Sequence, residues 1–268
     1  MNIPHDFHLH TNLSHCGQKE ATPEAQIAAL EAAGIQEACF TDHTWDTAVP
    51  GGNSWYSGQT VERLLPLREK LHQLQPTTPI KLHFGCETEL QDDGTVGLHP
   101  DHAALFEFIL VPHNHLNFAG LTRPADLTDN VEIARLLVRH FRHCCDTVPF
   151  PFAFAHPFTP IGYFERHEEI LNLLADKELE ICFSAAAARG ASIEFNVANL
   201  LRKTPVLTTA PASLRGQYKR MYEIAVACGC RFHLGGDEHA PAHIGAENYR
   251  LVRDFARECG AVLQSPLS

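Results

Sequence analysis

The chain has no CxxC pair, no cluster of lysine and arginine, no repeat and no Ser/Gly-rich linker. Each absence excludes something. Nine cysteines, an odd number without paired spacing, give no disulfide framework. The N-terminal residues Met1, Asn2, Ile3, Pro4, His5 and Asp6 form neither the basic region nor the long apolar stretch of a leader. Together these point to a cytoplasmic protein with reduced thiols and no membrane association. A formal charge of −11 without basic clusters argues against an extended nucleic-acid surface, because phosphate contacts need grouped Lys and Arg. With no boundary signal, residues 1–268 read as a single domain, long enough to bury a sizeable core. Oligomeric state has no signature in the sequence.

What is abundant is histidine, at 18 residues. A helix is well signalled near the start: Thr22 can cap it, Pro23 suits its first turn, Ile27 and Leu30 give an apolar stripe, and Gly34 ends it. A strand then runs to Thr41. Further strand-length apolar runs fall near residues 80–86, 108–112, 152–155, 192–195 and 231–234, making seven with the first two. Helical patterns near 61–74, 131–145, 168–174, 213–228 and 247–258 lie between most of them, and Pro66 is expected to bend or split the first of these five. Such alternation implies parallel pairing, and parallel α/β barrels carry their chemistry on the face formed by the strands' carboxyl ends.

Metal-type side chains occur at those ends. His8 and His10 close the first run, Asp42 and His43 the second, Glu87 the third, His113 and His115 the fourth, His156 the fifth, and Asp237, Glu238 and His239 the seventh. Residues two apart in an extended segment face the same side, so His8 and His10 can serve one ion or two neighbours. Histidines also occur on helices, as His72, His140 and His167 show, so their concentration at one end of the strands is the informative part.

The pieces His8-Leu9-His10-Thr11, Ser14-His15-Cys16-Gly17, Thr41-Asp42-His43, Gly85-Cys86-Glu87, Ala155-His156-Pro157 and Gly236-Asp237-Glu238-His239, in that order, resemble the PHP (polymerase and histidinol phosphatase) family over essentially the whole chain. The resemblance implies a distorted seven-stranded (β/α)7 TIM-like barrel holding two or three divalent ions, zinc, iron or manganese. Carried over by position, it makes His8, His10, His15, His43, Glu87, His156, Asp237 and His239 ligands, together with His113 or His115, of which His115 lies nearer the rim and is favoured. His8, His10, Glu87, Asp237 and His239 are the expected catalytic set. Many family members carry Asp where His15 stands, and an imidazole there shifts preference toward softer metals.

Neutral imidazoles suit zinc, iron and manganese, while Glu87 and Asp237 supply anionic oxygens that offset the ions' charge. Two ions roughly 3.5–4 Å apart can hold a hydroxide and clamp a phosphoryl group. The expected activity is hydrolysis of a small phosphorylated substrate, with histidinol phosphate as the candidate implied by the chain's resemblance, in size and free-standing form, to the family's histidinol phosphatases. Two alternatives are a non-catalytic metal-binding module and a metal-dependent hydrolase of carbon–nitrogen bonds. Asp6 and Asp42 are expected to orient ligand imidazoles. Strand alternation turns Glu238 away from the site, unless the backbone turns there and makes it an acid. Arg189 and Arg215, in loops before and after the sixth strand, and Arg123, after the fourth, are candidates for binding phosphate. The loop from Trp45 to Tyr56 holds both tryptophans and either walls a substrate pocket, through Trp45 and Trp55, or closes one end of the barrel.

Overall fold

Seven short strands lie side by side in chain order, every pairing parallel: β1 (His5–Leu9), β2 (Glu37–Phe40), β3 (Lys81–Glu87), β4 (Phe108–Val111), β5 (Ala153–Phe154), β6 (Ser192–Asn196) and β7 (Arg231–Gly235). The computed structural model describes residues 4–267, so Met1 to Ile3 of the segment read for a leader, and Ser268, lie outside it. Helices α1 (Pro23–Ala32), α2 (Val61–Leu74), α3 (Pro100–Ala103), α4 (Asn130–Thr147), α5 (His167–Asn172), α6 (Asp176–Arg189), α7 (Ala212–Ala227) and α8 (Ala246–Glu258) fill the connections. No described helix is long and apolar enough to cross a membrane.

The sheet curls into a nearly closed barrel, and β1 meets β7 mainly at the downstream rim. There Asp237 N donates to His8 O (2.6 Å) and His10 N to Glu238 O (3.1 Å). Further down the seam side chains replace the missing ladder: Gly236 N donates to Asp6 Oδ1 (2.7 Å), and Leu234 N to His5 Nε2 (3.0 Å). A tail strand-bridge, Phe232 to Leu263, runs beside the upstream half of β7.

Apolar residues sort into two bodies. Phe7, Cys39, Phe108, Leu110, Ala153 and Ala155 form one cluster. The larger one packs strands against helices, with Phe141 of α4 stacked on Phe154 at 3.9 Å between ring centroids. Burying one such ring contributes roughly 2–3 kcal/mol. The pairing of β1 with β2 shifts register between Asp6 and Leu9, a bulge-like irregularity of the kind that re-aims side chains beside functional sites.

Two expectations about helices change. Pro66 does not split α2, which runs unbroken through it: Val61, Leu64, Leu67 and Leu71 are buried on one face while Pro66 is exposed, so the lost backbone bond falls on the wet side. The segment containing Arg189 is helix α6 and not a loop. Its run of alanines shows little apolar periodicity but favours helix intrinsically, and Gly190 ends it with φ +72°.

One buried histidine fixes part of the acid response. His167 is 2 % exposed, meets Tyr218 Oη at 3.1 Å through Nε2, and is pushed down to about 3 by burial. A depressed histidine stays neutral in the fold while the unfolded chain takes up a proton, so stability falls as pH drops below about 6.5. Between pH 7.5 and 5 we expect His167→Phe to lose about 2 kcal/mol less than the parent protein, read from urea midpoints at the two pH values. Equal losses would show that the histidine is not the titrating group.

Candidate metal centre

Glu87 ends β3 with 1 % exposure and faces five imidazoles. Its Oε2 lies 3.2 Å from His8 Nε2, 3.4 Å from His10 Nε2 and 3.1 Å from His43 Nδ1, and its Oε1 lies 3.2 Å from His156 Nε2 and 3.6 Å from His115 Nε2. Asp237 completes the ring, with Oδ1 3.8 Å from His8 Nε2, 3.6 Å from His10 Nε2 and 3.6 Å from His239 Nδ1. Residues from six of the seven strand ends thus converge within one cluster.

The donors fit divalent ions. Three groups have ligand atoms mutually within 4.8 Å: His8, Glu87 and His156; His8, His10 and Asp237; and His10, Cys16, His43 and His239. Although His43 Nδ1 is 3.1 Å from a carboxylate oxygen, it makes no hydrogen bond, as expected where a cation fits between the two. His8 and His10 even face each other through Nε2 at 3.0 Å.

Electrostatics separates the members. Burial opposes ionisation of Glu87, yet the imidazoles of His43 and His8 hold its carboxyl well below the usual range. Asp237 is likewise opposed by burial and held well down by Lys203 and His8. Burial pushes His43 well below 6.5 and His239 to about 3, leaving neutral rings of the kind metals bind.

The fourth strand end is resolved by geometry. His115 joins the cluster, with Nδ1 2.9 Å from Glu89 Oε2. His113 instead packs edge-on against Phe141, Phe154 and Phe158, and its Nε2 accepts from Phe158 N. Strand alternation ends at Val111, where the chain turns, so a spacing of two no longer implies a shared face.

His15 requires a correction. Its exposed ring lies 2.7 Å from Trp55 O through Nδ1 and belongs to none of the groups of converging ligand atoms, while the next residue, Cys16, lines the cleft. A tight turn (Ser14 N to Thr11 O, Gly17 N to Ser14 O) sends adjacent side chains apart. Gly17 is required there, since a Cβ would sit 1.9 Å from Thr11 O.

Asp6 and Asp42 accept from backbone N–H groups and hydroxyls rather than from imidazoles. Asp6 accepts from His8 N (3.0 Å), Gly236 N (2.7 Å) and Tyr249 Oη (2.6 Å). Asp42 accepts from Thr11 N (2.7 Å), Thr11 Oγ1 (2.8 Å) and Ser14 Oγ (2.6 Å). The imidazoles are oriented by residues the sequence reading overlooked: Glu194 Oε1 lies 2.7 Å from His8 Nδ1, and Asn114 Oδ1 lies 3.0 Å from His156 Nδ1. Glu194 comes from β6, the one strand without a recognised end residue. A glutamate between Ile193 and Phe195 was the available signal, since a charge in an apolar strand must be paired.

His156 and Asp237 adopt positive φ, +30° and +54°, as does Phe158 at +56°. For residues with a Cβ this backbone is strained, a state that persists where surrounding bonds hold it. Here Glu194 Oε2 takes His156 N (2.5 Å), and His8 O takes Asp237 N.

The cleft above the cluster has a volume of about 150 Å³, with Trp55, Phe118, Ile161 and Lys203 among its lining residues. Trp55 stands edge-on to His43 at 5.0 Å, whereas Trp45 is buried against Tyr56 and donates to Val49 O. Trp55 lines the cleft, and Trp45 packs in an apolar cluster with Tyr56 and Leu121. The expected phosphate-binding arginines do not line the cleft among the described residues. Arg189, on the last turn of α6, bonds Val148 O and Phe150 O upstream of β5. Arg215, on α7, pairs with Glu258 on α8, and Arg123 donates to Leu116 O and stacks over Tyr163. Lys203 is the cation at the site, its Nζ 2.6 Å from Asp237 Oδ2. Glu238 points elsewhere, into a double hydrogen bond with Arg202 (2.8 and 2.5 Å).

Comparison with known proteins adds a family and a shape. The PHP domain model matches residues 6–192. A histidinol phosphate phosphatase of Lactococcus lactis subsp. lactis, whose structure is complexed with zinc, L-histidinol and phosphate, superposes with a TM-score of 0.67 at 16 % identity, covering 99 % of this chain and 98 % of that one. A protein of Listeria monocytogenes described as a candidate histidinol phosphatase gives 0.64 at 14 % identity, covering 90 % and 97 %. No curated protein matches the sequence.

Proposed function

Since the chain belongs to the PHP domain family, we propose that it is a metal-dependent phosphoesterase acting on a small phosphorylated molecule, with histidinol phosphate as the first candidate. The observation that carries this reading is the convergence of five imidazoles on Glu87 beside Asp237. His8, His10, His43, Glu87, His115, His156, Asp237 and His239 would hold two or three zinc, iron or manganese ions. Such ions, when bound, supply Lewis acidity and make water acidic enough to act as a nucleophile near neutral pH.

The protein's own groups do the rest. Glu194 and Asn114 fix the rings of His8 and His156, so the ligand atoms point inward before any ion arrives. Lys203 offers Nζ to an anionic oxygen of the substrate, and its tether to Asp237 sets where that oxygen lies. Trp55, Phe118 and Ile161 give the cleft an apolar wall against which a small organic group can pack while water is excluded. That none of the nine cysteines is paired supports a reducing, cytoplasmic setting.

The test is phosphate release from L-histidinol phosphate by protein loaded with zinc or manganese, beside a panel of nucleotide and sugar phosphates. We expect turnover that His10→Ala lowers by at least about a hundredfold. Turnover of another phosphate would keep the mechanism and change the substrate. Amide hydrolysis without phosphoesterase activity, or silence despite bound metal, would overturn the proposal.

A further inference from the structure

Eight of the nine cysteines lie away from the cleft, and most of those eight are buried in apolar surroundings; Cys16 lines the cleft itself. Its Sγ belongs to one of the ligand groups, with one nitrogen each from His10, His43 and His239, all four atoms mutually within 4.8 Å. The three rings form a stack, with His10 4.5 Å from His43 and 4.3 Å from His239 between centroids. His43 is 6 % exposed and its Nδ1 lacks a hydrogen-bond partner.

The loop bearing Cys16 is fixed from both sides. Gln18 N donates to His239 O (2.9 Å), tying it to one ring's backbone, and Ser14 Oγ accepts from His43 N (3.0 Å), tying it to another's. Asp42 holds Ser14 and Thr11 in turn. The thiol's position is therefore set by the same bonds that set the imidazoles.

We propose that Cys16 is a thiolate ligand of one of the ions, completing an S/N3 set with His10, His43 and His239. The inference rests on the metal-centre reading above and adds a donor outside the set expected from the sequence. A tetrahedral zinc with bonds of about 2.3 Å to sulfur and 2.0–2.1 Å to nitrogen separates its donors by roughly 3.3–3.6 Å, so small rotations of side chains already this close complete the shell. A soft sulfur makes this position favour zinc over manganese and disfavour magnesium. The remaining groups, built on Glu87 and Asp237, keep oxygen donors, so the ions of one cluster differ in preference.

Cobalt(II) reports this directly, because thiolate ligation adds a sulfur-to-cobalt charge-transfer band in the near ultraviolet. Metal-depleted protein titrated anaerobically with cobalt should develop that band together with the visible d–d bands, and Cys16→Ser should lose the near-ultraviolet band alone. Zinc should also protect Cys16, identified by peptide mapping, from alkylation, a readout on the unaltered chain should the variant fold poorly. In the variant zinc affinity should fall by about a hundredfold and manganese affinity by less than about tenfold. Cobalt d–d bands without the charge-transfer band, or alkylation of Cys16 indifferent to zinc, would overturn the thiolate while leaving the metal centre intact. Failure to bind cobalt or zinc at all would overturn the metal centre itself.

Discussion

Glu87→Gln is expected to lower turnover of the preferred phosphoester by roughly a thousandfold and to leave the purified protein short of metal, the order of loss when a charged group at the reacting centre is removed. Glutamine keeps the shape and one acceptor oxygen but removes the negative charge, and it presents an amide NH₂ to imidazoles that should turn lone pairs toward a cation. Because Glu87 touches rings from four other strand ends, the change reaches every ligand group. Metal content per chain after gel filtration, measured alongside kcat, checks the two halves separately. Full metal content with parental turnover would remove Glu87 from the centre.

Asp42→Ala should have the largest effect on stability, about 3 kcal/mol, which corresponds to a fall in Tm of about 9 °C for a chain of this size. The carboxylate is fully buried and takes three short hydrogen bonds from Thr11 and Ser14. Alanine leaves a backbone N–H and two hydroxyls without their acceptor, and a buried donor left unmade costs more than a formed bond contributes. Measured on metal-free protein, so that lost ligand binding does not enter, the fall should be larger than that for Asp42→Asn, which keeps an acceptor oxygen. A Tm unchanged by the alanine would show that water replaces the carboxylate.

How far the sequence disclosed this arrangement follows from which rules still apply at each position. Most strands were legible because they are largely apolar runs followed by a polar strand-end residue; the expected 108–112 and 231–234 lie within a residue of β4 and β7. Helix α2 was legible for the same reason, its apolar period intact through Pro66. Periodicity stops where the backbone turns, and the misplacements sit there: His15, which bonds Trp55 O while its neighbour Cys16 lines the cleft, in the turn after β1, and Arg189 in a loop where alanines hide α6. Lys203 escaped notice because it ends the π-helical turn Asn199–Lys203, whose handed path neither the strand nor the helix period describes. Glu194 was visible as an anomaly, an acid within a strand, though its partner, 186 residues away, was not.

The seam between the first and last strands also has a practical side. Pro4 and His5 border a groove shared with Ala261, Val262 and Leu263, and Leu263 bridges Phe232 near the upstream end of β7. Both ends of the described chain therefore emerge together beneath the barrel, with its full depth between them and the ligands at the opposite mouth. Polypeptide carried at either end, whether an affinity tag, a fluorescent reporter or a fused enzyme, would hang below the floor and leave the entrance open to small molecules.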